Sequence, residues 1–209
     1  MLLFDAPLTF REYIVHEVVP LADVFRDVLS FLREREDAVL FGAQAINAYC
    51  EPPRMTGDVD VLSTHGRALA ETIRERLAER FQIAVHACQV ADGRGFRVYQ
   101  LRKPKNRHLV DVRQVDVLPE FQCFEGVRVA APAELDALEV LSIDARRGRE
   151  KELSDRLDVH RLLRAFPQLH GGDGEVARRL RGIGANDAAL ALWRSLTQDR
   201  VEPDPDDEY

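Results

Sequence analysis

Asp58 and Asp60 stand two residues apart in the alternating string Asp58-Val59-Asp60-Val61-Leu62. On a strand, residues i and i+2 project from the same face, so both carboxylates point one way while Val59 and Val61 point the other. Two charged, oxygen-bearing side chains placed like this can hold a divalent cation, and their hardness suits Mg²⁺. Upstream, the apolar run Ala38-Val39-Leu40-Phe41 ends at Gly42-Ala43. A Gly where a strand turns into a helix lets a phosphate approach the backbone, whose free N–H groups favour negative charge. A cation site beside an anion cradle is what chemistry on a phosphate ester requires.

The surrounding elements follow from periodicity. Leu21, Val24, Phe25, Val28, Leu29 and Leu32 mark one buried helical face after Pro20, which suits a first helical turn. The run from Ala38 to Phe41 is too short for a helix and reads as a buried strand, followed by a short helix through Ala45, Ile46 and Ala48 that Pro52 and Pro53 stop. Leu69, Ile73, Leu77 and Phe81 define a second amphipathic helix. Ile83 to Val90 is a separate apolar stretch, and the segments Phe96 to Leu101 and His108 to Leu118 flank the turn-forming Lys103-Pro104-Lys105-Asn106, the signature of a hairpin. Everything beyond Leu118 reads as helical: one helix from Pro132 through Leu135, Leu138 and Leu141, another through Leu153, Leu157 and Leu162 before Pro167, and shorter ones on both sides of Gly182 to Asn186.

The string Arg-x-Thr-x-Asp-h-Asp-h at 54 to 61, where h is apolar, and the string Asp-x-x-Asp-h-x-x-Leu at 155 to 162 resemble the DNA polymerase beta-type nucleotidyltransferase superfamily, and within it the AbiEii-like toxins and their bacterial relatives. The resemblance runs from about Ala38 to Leu163. It implies an α+β fold, a small mixed sheet flanked by helices with a C-terminal helical lobe. It also implies an enzyme that moves a nucleoside monophosphate from a nucleoside triphosphate to a hydroxyl of an acceptor, an RNA such as tRNA or a protein, with two Mg²⁺ ions. Asp58, Asp60 and a third carboxylate from a neighbouring strand would be catalytic and bind metal. For the third, Asp111 is favoured over Asp116. Gly42 and Ala43 stand where the superfamily carries Gly-Gly or Gly-Ser around the triphosphate. Arg54, Thr56, Lys151 and Asp158 are the remaining candidate nucleotide contacts, with loop bracing the plainer role for Thr56 and helix capping or a pair with Arg156 or Arg161 the plainer roles for Asp155 and Asp158. A toxin assignment implies an antitoxin partner.

The alternative is a catalytically silent nucleotidyltransferase fold that binds a nucleotide or a protein, suggested by Ala43 and by Glu139 where relatives often carry Lys. A metal-dependent glycosyltransferase is a further rival, because Asp-x-Asp also anchors sugar nucleotides.

Charge sharpens the partner expectation. The net charge is −7, but the last eleven residues, with six acids against Arg200, carry five of those charges. Arg94 to Arg113 holds seven bases and one acid, a basic hairpin suited to a polyanionic acceptor. The expected organisation is a catalytic core over 1–130, a helical lobe over 131–198 and an acidic, disordered tail over 199–209. Charged residues interrupt every apolar run, which excludes a membrane span, and the first twenty residues do not read as a secretion signal, so the cytoplasm is expected. Three scattered cysteines and six scattered histidines offer no disulfide framework and no zinc spacing, and neither Gly-x-Ser-x-Gly nor a P-loop is present.

Overall fold

The computed structural model describes residues 19–90 and 93–199; most of the N-terminal stretch and the acidic tail beyond Asp199 lie outside them. The chain divides after Ala131 into two compact units.

The first unit is built on a mixed seven-stranded sheet. Its strands are β1 (Ala38–Phe41), β2 (Val59–Ser63), β3 (Val85–Val90), β4 (Gly95–Gln100), β5 (Arg107–Gln114), β6 (Phe121–Phe124) and β7 (Val127–Ala130), in the spatial order β3-β4-β5-β2-β1-β7-β6. The β2–β5 and β1–β7 pairs are parallel and the rest antiparallel. Helices α1 (Leu21–Leu32), α2 (Gly42–Ile46) and α3 (Gly66–Phe81) complete the unit. Helix α3 packs on β2 to β5 through Leu69, Ile73 and Leu77, and α1 packs on β7 and α3. Val59, Val61, Val98, Val110 and Val112, all fully buried, form the apolar face of the central strands. Burying side chains of this size stabilises by about 1.5–3 kcal/mol each. One charge is drawn in with them: Asp27 on α1 is 5% exposed and accepts a forked pair of hydrogen bonds from Arg76, at 2.7 and 2.9 Å, with Arg80 2.9 Å away. Two guanidinium groups on α3 thereby tie the helices together.

The β6–β7 hairpin corrects the helical expectation beyond Leu118. Its two-residue turn is Glu125-Gly126, with φ of 49° and 84°. Paired positive φ values match the twist of the flanking strands, and glycine adopts them without cost.

The second unit is helical: α4 (Pro132–Ala145), α5 (Glu150–Ala165), a 3₁₀ turn (Pro167–His170), α6 (Glu175–Gly182) and α7 (Asp187–Leu196). Its core gathers Ala137, Val140, Ile143, Val159, Leu163, Val176, Leu180, Trp193 and Leu196. Asn186 caps α7 by accepting a hydrogen bond from the Ala189 N–H at 2.8 Å. Helix α5 corrects the reading of its buried face. Leu153 and Leu157 are 71% and 49% exposed, whereas Asp155 and Asp158 are buried with Val159, Leu162 and Leu163. Positions 155, 158, 159, 162 and 163 follow the i, i+3, i+4, i+7, i+8 stripe of a helix, and the two leucines lie off it. Asp155 and Ser154 are inside the helix, so neither caps it. Among the described residues no helix is long and apolar enough to cross a membrane.

Candidate functional site

Strand register sets the site. Phe41 pairs with Asp60, Asp60 with Asp111, and Asp111 with Arg97, so four residues form one row across β1, β2, β5 and β4. Register partners project from the same face, which brings Asp60 and Asp111 side by side although 51 positions separate them. Asp58, two residues before Asp60, belongs to the same face. Asp116 does not join them: β5 ends at Gln114, and Asp116 is exposed and pairs with Arg94 at 3.3 Å.

The turn at the end of β1 is fitted to this row. Gly42 has φ +67°, and a Cβ there would fall 2.3 Å from the Asp60 Oδ2 atom. Only glycine accommodates both the left-handed backbone and the carboxylate lying against it. Ala43 lies in the first turn of the short helix α2, and behind it Asn47 holds the returning loop by two hydrogen bonds. Its side-chain N–H donates to the Arg54 carbonyl at 2.7 Å, and its carbonyl accepts from the Arg54 N–H at 3.0 Å. The Thr56 hydroxyl donates to Gln44 Oε1 at 3.2 Å, a bracing contact, and the Arg54 guanidinium donates to the Met55 carbonyl at 3.1 Å. These contacts fix the segment that delivers Asp58 to β2.

Asp58 and Asp111 each lie against a side chain of a neighbouring strand. Arg97 Nε donates to Asp111 Oδ2 at 3.1 Å. Burial pulls the Arg97 guanidinium's pKa down, but hydrogen bonds to Tyr99 and Asp111 outweigh this and hold it above its usual value. Asp58 Oδ2 lies 2.9 Å from His108 Nδ1, while His108 Nε2 lies 3.2 Å from the Val110 carbonyl and its ring stacks tilted against Tyr99 at 5.0 Å.

His108 is a residue of the candidate site that the sequence did not disclose. Strict alternation places position 108 on the opposite face from Asp111. The ladder, however, shifts between Val98 and Tyr99, where Val98 pairs with Val110 and Tyr99 with His108. Leu109 is the extra residue of a β-bulge and is fully buried, like Val110, so His108 is carried to the carboxylate face. No local signal in Arg107-His108-Leu109-Val110 marks the bulge. Arg97 was legible only as a member of the basic segment.

For an oxygen-seeking cation the donors are of the right type and share a face, and the Gly42 cradle leaves Asp60 room. Among the described residues, however, no three His, Cys, Asp or Glu side chains are gathered closely enough to hold an ion as they stand. Asp58 and Asp111 must turn from His108 and Arg97 to do so. The remaining candidates belong to the second unit. Lys151 is exposed in the first turn of α5. Asp158 is 1% exposed and lies 3.4 Å from Arg161 NH1 on the same helix, one of the pairings its spacing suggests. Asp155 accepts from Arg146 at 2.6 Å.

The mixed sheet with its flanking helices is similar in fold to nucleotidyltransferase-type proteins of known structure. A candidate nucleotidyltransferase of Helicobacter pylori superposes with a TM-score of 0.57 at 13% identity, covering 91% of this chain and 95% of that one. JHP933 from Helicobacter pylori superposes with a TM-score of 0.54 at 14% identity, covering 92% of each chain. Megavirus polyadenylate synthase gives 0.55 at 11% identity over 76% of this chain, which spans 32% of that longer protein. No protein-family model and no curated protein matches the sequence.

Proposed function

We propose that this chain is an Mg²⁺-dependent nucleotidyltransferase that transfers a nucleoside monophosphate from a nucleoside triphosphate to an acceptor hydroxyl. The observation that carries the reading is the register row Asp60–Asp111 beside Gly42, whose missing Cβ leaves the space Asp60 fills. Asp58, Asp60 and Asp111 would hold Mg²⁺, which neutralises triphosphate charge and lowers the pKa of the acceptor hydroxyl. The backbone N–H groups at Gly42 and Ala43 would be the contacts for the phosphate tail. Asn47, Thr56 and Gln44 keep the Asp58 loop in place, which lowers the entropy cost of assembling the site. Arg54 is a candidate phosphate contact from the same loop, while Lys151 and Asp158 rest on the resemblance to AbiEii-like toxins alone. The same resemblance supports a toxin role with an antitoxin partner. For the acceptor, an RNA such as tRNA or a protein, the exposed Lys103 and Lys105 at the β4–β5 turn are suited to a polyanion.

The silent-fold alternative draws on one observation, the engagement of Asp58 and Asp111 by His108 and Arg97. The deciding experiment incubates the full chain with each labelled nucleoside triphosphate, Mg²⁺ and bulk RNA or protein. Label transfer is expected, and Asp58→Ala or Asp60→Ala should reduce it by about a hundredfold or more while leaving the protein folded. A folded wild type that transfers no label and binds no nucleotide overturns the proposal in favour of a silent, protein-binding fold.

A further inference from the structure

Arg113 stands two residues along β5 from Asp111, on the same face, in register with Leu62. Its guanidinium carbon lies 5.0 Å from the centroid of the Phe41 ring. Phe41 is 6% exposed, pairs with Asp60, and is the residue immediately before Gly42. The side chain therefore leans toward the end of β1, where the Gly42 turn begins.

The basic residues around it are engaged otherwise. Arg97 pairs with Asp111, Arg94 with Asp116, and Arg107 donates to the Val19 carbonyl at 3.1 Å. Among the described residues Arg113 has no carboxylate partner, and it is exposed. A guanidinium lying on an aromatic ring keeps its fork of N–H donors at the edge of the plane, free for an anion, while the ring limits its wandering. Three carboxylates on this face would otherwise repel an anionic tail, so an uncommitted positive charge here works against that repulsion.

We propose that Arg113 is the protein's own anchor for the phosphate tail of the substrate, a guanidinium held on the Phe41 ring that grips a polyphosphate bidentately beside the Gly42 turn. The inference rests on the nucleotidyltransferase reading and narrows it to a site that recognises the polyphosphate through a positioning arginine as well as through metal.

Calorimetric titration of the full chain with inorganic tripolyphosphate, and separately with each of the four nucleoside triphosphates, all with Mg²⁺, tests it. Arg113→Ala is expected to weaken tripolyphosphate binding by about tenfold to a hundredfold. Arg113→Lys keeps the charge but loses the planar fork, and should fall between. Arg26→Ala removes an equal charge from the exposed Asp23 pair on α1 and should bind as the wild type does. Arg113→Ala that binds tripolyphosphate normally, or a wild type that does not bind it, overturns the inference; in the first case intact nucleotide binding leaves the proposed function standing. A wild type that binds tripolyphosphate through Arg113 but none of the four nucleotides supports the anchor and overturns the nucleotide reading instead. Since Arg113 is exposed, thermal unfolding should be unchanged in both of its variants, which separates lost binding from lost structure.

Discussion

The acids on the sheet of the first unit and the acids in the helices of the second are chemically alike and treated oppositely. Asp58 and Asp111 are part-exposed, and His108 and Arg97 face them from neighbouring strand positions. Asp155 and Asp158 are 3% and 1% exposed and bonded to arginines from their own helix hairpin. Asp136 on α4 is fully buried, and among the described residues neither of its oxygens has a hydrogen-bond partner. A charge at a wet surface can exchange one partner for another at little cost, since exposed ion pairs are worth roughly 0–1 kcal/mol. A sequestered charge cannot, because a lost partner leaves it without solvation. Accessible pairs can thus exchange a partner for a ligand at little cost, and buried ones cannot.

The largest test of this contrast is Arg146→Met, which strands Asp155. Arg146 is one-third exposed, so water recovers part of the loss, and a destabilisation of about 3 kcal/mol is expected in urea unfolding. Replacing both residues, with Asp155→Leu added, should recover most of it; a double variant no better than the single one would show that the pair is not the cause.

Gly42→Ala probes the other region. The added Cβ meets both the left-handed backbone and the Asp60 carboxylate, so about 2 kcal/mol of stability should be lost together with the proposed nucleotidyl transfer. If the variant melts at the wild-type temperature, Asp60 is not confined by the turn.

The smallest effect is expected at Asp136. Burial, with the nearby Glu139 charge adding to it, pushes the Asp136 carboxyl well above the usual carboxylate range. A raised folded-state pKa means that the native chain keeps a proton that the unfolded chain releases above about pH 4, so stability falls as pH rises from there toward the folded value. Asp136→Leu removes this dependence. It should stabilise by about 1 kcal/mol at pH 7, with the gain shrinking below about pH 4. A gain that does not vary between pH 3 and pH 7 would assign the effect to packing instead.

Much of the candidate site's geometry was legible along the chain because it depends on alternation within single strands. The spacing of Asp58 and Asp60 puts both on one face whatever lies beside them, and the apolar run before Gly42 ends where the turn must form. The β6–β7 hairpin was also open to reading in Phe-Gln-Cys-Phe, Glu-Gly and Val-Arg-Val-Ala, a two-residue turn between short strands, but a uniform helical expectation for that region passed over it. On α5 the leucines misled: two apolar residues four apart resemble a buried face, whereas the true stripe contains two aspartates made tolerable by Arg146 and Arg161.

What the sequence determined by itself was local, the identity of the strand acids, the helix that follows Pro20 and the glycine at the turn, because period and steric freedom are properties of a few neighbouring residues. The tertiary structure decided the rest. Which strand lies beside β2, that Arg97 meets Asp111, and that a buried extra residue at Leu109 swings His108 onto the carboxylate face all depend on pairing between distant segments. That pairing is chosen by the packing of the whole sheet against its helices, which no short string records.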